Sequence, residues 1–85
     1  MNYANQVFVG LDLGQTRDHS AIAVVERIEQ RTAWSAPVLQ SMTVRHLERL
    51  PLATLYTRVV DRVWEIVRNP TITGRCRLVA DATLL

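Results

Sequence analysis

Over residues 7–13 the side chains alternate by face. Val7, Val9, Leu11 and Leu13 point one way, and Phe8, Gly10 and Asp12 point the other. Valine and phenylalanine favour an extended chain and Gly14 ends it, so the pattern predicts a strand there. Gln15, Thr16, Arg17, Asp18, His19 and Ser20 read as a polar turn. Residues 21–28 are nearly apolar on both faces, which predicts a second strand, central and covered on both sides. The short connection makes the pair an antiparallel hairpin. A polar turn region over residues 29–36, closed by Pro37, leads to a weaker strand at 38–47, with an edge-like charged character from Arg45, His46, Glu48 and Arg49.

Pro51 resets the pattern. The spacing then becomes helical over about 55–68: Leu55, Tyr56, Val59, Val60, Val63, Ile66 and Val67 form one broad stripe. Arg58, Asp61, Arg62, Glu65 and Arg68 fill the opposite face, with mixed-sign neighbours at i+3. Thr54 is the expected N-cap, and Asn69 with Pro70 is the expected stop. After a turn containing Gly74, residues 76–81 form a fourth strand that ends on Asp81.

The element order is β-β-β-α-β, a mixed α/β fold. A right-handed crossover that lays strand 4 parallel to strand 1 satisfies the connection rules and gives the order 3-2-1-4. Asp12 and Asp81 then sit side by side at the C-terminal ends of two strands, the edge where open α/β sheets bind ligands.

Composition narrows this picture only slightly. A chain of 85 residues makes one small domain or part of one, burying little more than about 60% of its unfolded surface. Apolar residues at 48% and charged residues at 21% give a globular rather than a disordered balance. The net charge of +2 is too mild to prove a polyanionic partner. All ten basic residues are arginine. GC-rich coding explains that more simply than phosphate recognition does, although arginine is the better phosphate fork.

Cys76 is the only cysteine, which excludes an internal disulfide and a four-cysteine zinc site; it reads as a small buried hydrophobe. The opening residues look like no secretory leader, and no apolar run approaches the ~18 residues that span a bilayer. Gly10 and Gly14 form a GxxxG on a strand-like segment, not on a membrane helix. A cytoplasmic location without membrane contact is expected.

The ordered set of motifs resembles the ribonuclease H-like superfamily, and within it the nuclease domain of phage terminase large subunits and their prophage relatives. The matching text is Val9-Gly10-Leu11-Asp12-Leu13-Gly14, then Asp18-His19-Ser20-Ala21-Ile22-Ala23-Val24-Val25-Glu26. It continues with His46-Leu47-Glu48-Arg49-Leu50-Pro51-Leu52, Tyr56 with Val59-Val60-Asp61-Arg62-Val63, and Leu78-Val79-Ala80-Asp81-Ala82-Thr83. Each motif is weak in isolation; the order makes the set moderately specific.

The resemblance implies metal-dependent phosphodiester cleavage of DNA during phage genome packaging, in a bacterial host cell, with Mg²⁺ or Mn²⁺ as cofactor. Asp12 would bridge two such ions and Asp81 would hold one. Relatives continue from the Asp-Ala-Thr segment into a glycine-rich turn, a further helix and strand, and a final acidic residue. Leu84 and Leu85 stand where the glycines would be. The chain is therefore expected to be the N-terminal half of such a domain, truncated after its fourth strand. It would be inactive or very weak unless a complementing chain supplies the third carboxylate, and self-association through the strand 4 edge is the other expected partner mode.

Bland readings compete at each residue. Asp12 and Asp81 also suit a turn cap and a strand end. Asp18 can approach the same edge from the hairpin, but its neighbours favour a turn role. Glu65 sits late on the charged helix face, which favours an ion pair. His19 and His46 lack ligand spacing. Trp34 and Trp64 suit base stacking, but Trp64 beside the apolar stripe suits packing better.

Two other classes stay open. One is a fragment of a sugar-kinase or actin-like ATP-binding domain, whose phosphate hairpin is similar to Asp12-Leu13-Gly14-Gln15-Thr16. The other is a non-catalytic remnant or interaction module.

Overall fold

The alternating run and the apolar run that follows it pair as a long hairpin. In the computed structural model, which describes residues 2–14, 17–31 and 33–81, β1 (Asn2–Asp12) lies antiparallel to β2 (Ala21–Arg31). Both strands outrun the expected 7–13 and 21–28. The register from Asn2 opposite Arg31 to Asn5 opposite Ile28 carries polar sequence into the ladder. Ladder hydrogen bonds satisfy the backbone whatever the side chain, so polarity did not stop the strands. The polar turn expected from residue 29 accordingly starts later. The expectations for Gln15 and Thr16, and for Ala82, Thr83, Leu84 and Leu85, lie outside the described residues.

Strand β3 (Leu39–Arg49) pairs antiparallel with β2, helix α1 (Tyr56–Val67) crosses over, and β4 (Cys76–Asp81) lies parallel to β1. The order β3-β2-β1-β4 makes a small α/β domain with a four-stranded mixed sheet, the order the connection rules gave.

The core forms where α1 lies on one face of the sheet. Val7, Val9, Leu11, Ile22, Val24, Leu50, Val59 and Val63 are buried together, with Leu13, Ile66, Val67, Ile72 and Cys76 packed against them. The alternation of β1 is as expected. Cys76 is only half-buried, at the margin of this cluster.

Three expectations need correction. First, β2 is covered on one face only among the described residues. Ile22, Val24 and Glu26 are buried, whereas Ala21, Ala23 and Val25 on the other face are half-exposed. One helix cannot cover both sides of a sheet. Second, the helical stripe is narrower than its apolar letters: Val59 and Val63 are buried, while Val60 is 60% and Trp64 61% exposed. Trp64 therefore does not pack in the core. Third, Thr54 does not cap the helix. Leu55 holds the N-cap position with no side-chain hydrogen bond there, and the Thr54 hydroxyl donates to the Pro51 carbonyl instead. The stop is as expected: Asn69 Oδ1 accepts from the Thr71 N–H (3.0 Å) and hydroxyl (2.8 Å), an Asx-type turn. No helix among the described residues is long and apolar enough to cross a membrane.

Candidate functional site

Parallel register sets Asp12 directly opposite Asp81. Adjacent strands lie about 4.8 Å apart, so the two carboxylates share the reach of one small ion. Their backbones are tied by a bond from the Leu13 N–H to the Asp81 carbonyl (3.2 Å). Because Leu11 turns into the core, Asp12 projects from the opposite, helix-free face, and Asp81 shares that face by register. Both are exposed, and neither side chain has a polar partner among the described residues.

The same cross-sheet row continues through Ala21 to Arg49 on β3. Arg49 therefore stands on this face, two strand spacings or about 10 Å from Asp12. It is exposed and without a polar partner among the described residues. Between the cation and the two anions, the floor is built of Ala21, Ala23 and Gly10, all small. Sequence reasoning missed Arg49 as a site residue; only the strand register brings it into line with Asp12.

The end of β1 is pinned from several directions. The Gly14 N–H donates to the buried Ser20 hydroxyl (3.0 Å), and Tyr56 on α1 donates its hydroxyl to the Gly14 carbonyl (3.1 Å). The Leu50 N–H donates to the Ser20 carbonyl (2.8 Å), while His19 Nδ1 lies 2.8 Å from the Leu50 carbonyl oxygen. His19 thus ties the hairpin to the chain after β3. A Cβ on Gly14 would overlap the Asp18 carbonyl, so the close return of the hairpin requires glycine. These bonds fix the strand end that carries Asp12.

Asp18 lies at this end of the sheet but in a different hollow. It lines a cavity of about 400 Å³ with Gly14, Ser20, Thr54 and Tyr56, which neither Asp12 nor Asp81 lines. Among the described residues no group of three or more histidine, cysteine or acidic side chains gathers as a metal cluster. The site offers a metal two carboxylates. Hard oxygen donors of that kind fit Mg²⁺ or Mn²⁺, ions that keep several of their own waters.

The other charged residues collect elsewhere. The break in register between Val24 and Val25 marks a bulge, because three β3 residues, Val44 to His46, face these two. The bulge turns Arg45 to the helix side, where its Nε and terminal nitrogen donate to Glu26 Oε1 (2.9 and 2.6 Å). Arg62 on α1 reaches down to Glu48 on β3 with contacts of 2.8–3.0 Å and also donates to Glu65 (3.0 Å). Glu65 is an ion-pair partner, as its position on the charged stripe predicted, and belongs to the helix side of the sheet rather than to the face of Asp12. His46 Nε2 lies 2.8 Å from Glu48 Oε1. Hydrogen bonds from Arg62, then His46, hold the Glu48 carboxyl down at about 2 from its ordinary 4.5. Glu48 and Glu65 in turn raise the Arg62 guanidinium above its usual range. A cavity of about 490 Å³ beside this network is lined by Glu26, Arg45, His46, Arg62, Glu65 and Arg75 over Val7, Val24, Ile66 and Ile72.

Compared with known proteins, the chain matches no family model, no curated protein and no solved structure.

Proposed function

We propose that the helix-free face at the C-terminal ends of β1 and β4 is a metal-dependent phosphodiester-cleaving edge. In this reading the fold is ribonuclease H-like of the terminase-nuclease kind, and DNA is the substrate. The observation that carries it is the direct pairing of Asp12 with Asp81 on parallel strands. Two uncompensated carboxylates so close repel each other, and a divalent cation removes that repulsion. A bound ion there supplies an activated water and offsets charge on the phosphate.

The chain's own residues do the positioning. Asp12 and Asp81 furnish the donors and fix where the ion sits. Arg49 attracts a neighbouring phosphate of the same strand from about 10 Å away, as a charge-assisted fork. Gly10, Ala21 and Ala23 leave the floor low, so a sugar-phosphate backbone can approach. Two carboxylates match the charge of one divalent ion and not of two, so weak cleavage is expected of this pair without a further acidic ligand.

Calorimetry with Mn²⁺, alongside plasmid cleavage in Mn²⁺, tests the reading. Asp12→Asn and Asp81→Asn should each abolish Mn²⁺ binding and any cleavage. Arg49→Ala should leave Mn²⁺ binding intact but weaken DNA binding about 3- to 10-fold, the scale of one lost charge-assisted contact. A folded wild type that binds no Mn²⁺ would sink the proposal.

A further inference from the structure

The outer edge of β4, unpaired among the described residues, is self-complementary, and we propose that it docks a second copy of this chain as an antiparallel two-fold strand pair. The proposal stands on strand register and charge, independently of the metal reading.

Among the described residues β4 pairs only with β1, so its outer side presents unpaired backbone groups. Direction is fixed by the bond from Leu13 to the Asp81 carbonyl. Successive residues turn their backbone polar groups to alternate sides of a strand. Arg77, Val79 and Asp81 therefore turn theirs toward β1, and Leu78 and Ala80 turn theirs outward.

A two-fold axis at Val79 places Leu78 of each copy opposite Ala80 of the other, as hydrogen-bonded pairs. The same register sets Arg77 opposite Asp81 in both directions. These are the closely spaced non-hydrogen-bonded pairs, with Cα atoms about 4.5 Å apart, where side chains interact most strongly. Centring the axis on Leu78 or Ala80 sets Arg77 or Asp81 against Val79 and loses this match. Arg77 and Asp81 are exposed and have no polar side-chain partner among the described residues. In the pair, Arg77 of the second copy offsets the charge that Asp12 and Asp81 concentrate.

The other free edge argues by contrast. β3 is bulged at Arg45 and carries His46, Glu48 and Arg49, the devices that discourage edge pairing. The register of β4 with β1 runs without a bulge. On the flank of α1 away from Arg62, Tyr56, Val60 and Trp64 follow at i, i+4 and i+8, exposed at 48%, 60% and 61%, and Leu78 on β4 is exposed at 52%. A second copy extends the sheet.

Sedimentation equilibrium of the full chain without added metal tests the proposal. The wild type should show a concentration-dependent dimer. Arg77→Asp and Asp81→Arg, each by itself, should weaken it about tenfold or more, because two attractive cross-strand pairs become repulsive. Mixing the two variants should restore association as a heterodimer, since each then presents the charge the other lacks. Ala80→Pro removes an outward N–H and should leave a folded monomer. A wild type that stays monomeric, or variants that associate as well as wild type and gain nothing on mixing, would overturn the proposal. Restored association on mixing also separates a lost interface from a lost fold.

Discussion

The two flanks of α1 are built from different chemistry. Toward β3 the helix is fastened by charge, Arg62 gripping Glu48 through both Nε and a terminal nitrogen, beside a strand-to-strand pair in which a bulge turns Arg45 of β3 onto Glu26 of β2. On the other flank there is no such clamp among the described residues, and Val60 and Trp64 stand largely exposed. The β3 side carries a bulge and charged residues that discourage further strand pairing, whereas β4 runs without a bulge and pairs among the described residues with β1 alone. The carboxylate pair sits on the β4 side.

Substitutions grade this contrast. The seam common to both flanks sets the upper limit: Val59 is fully buried, and Val59→Ala should cost about 2–3 kcal/mol in chemical denaturation through lost burial and a cavity. Arg62→Ala should cost less, about 1–2 kcal/mol, because the pair is partly solvent-screened although well hydrogen-bonded.

The pH dependence of that clamp has a definite sign. The Glu48 carboxyl titrates at about 2 in the folded chain against 4.5 ordinarily. Its contribution is thus complete above about pH 4.5 and is lost as pH falls through about 2. Glu48→Gln should be less stable than wild type by about 1 kcal/mol at neutral pH, after solvent screening, with the gap closing between pH 4.5 and 2. A gap that widens on acidification contradicts the clamp. The smallest effect belongs to the other flank: Trp64→Gln should change stability by less than about 0.5 kcal/mol. A loss as large as that of Arg62→Ala would show that Trp64 is not the free surface described.

Much of the fold was legible because it rests on short-range rules. The alternation in β1, the Asx stop after α1 and the parallel crossover to β4 follow from side-chain period, turn chemistry and connection geometry. The β1 and β2 ends were misjudged because polar side chains cost nothing in a ladder that satisfies the backbone itself. Trp64 was misplaced because apolar letters on a helix say nothing of how wide a layer lies beneath them. Asp12 and Asp81 could be paired from strand order. Arg49 could not, since its line with Asp12 depends on a register shifted by the bulge at Arg45. The Arg62–Glu48 clamp was hidden for a similar reason: the sequence shows Arg62 its helical neighbours at i+3, not a strand residue 14 positions away.

The most direct test of the carboxylate edge is line broadening of backbone amides by substoichiometric Mn²⁺ in NMR spectra. Selective broadening of the amides of Asp12, Leu13 and Asp81, abolished by Asp12→Asn, is the predicted result. Broadening spread evenly over the acidic side chains, or unchanged by that substitution, would contradict a metal site built on this pair.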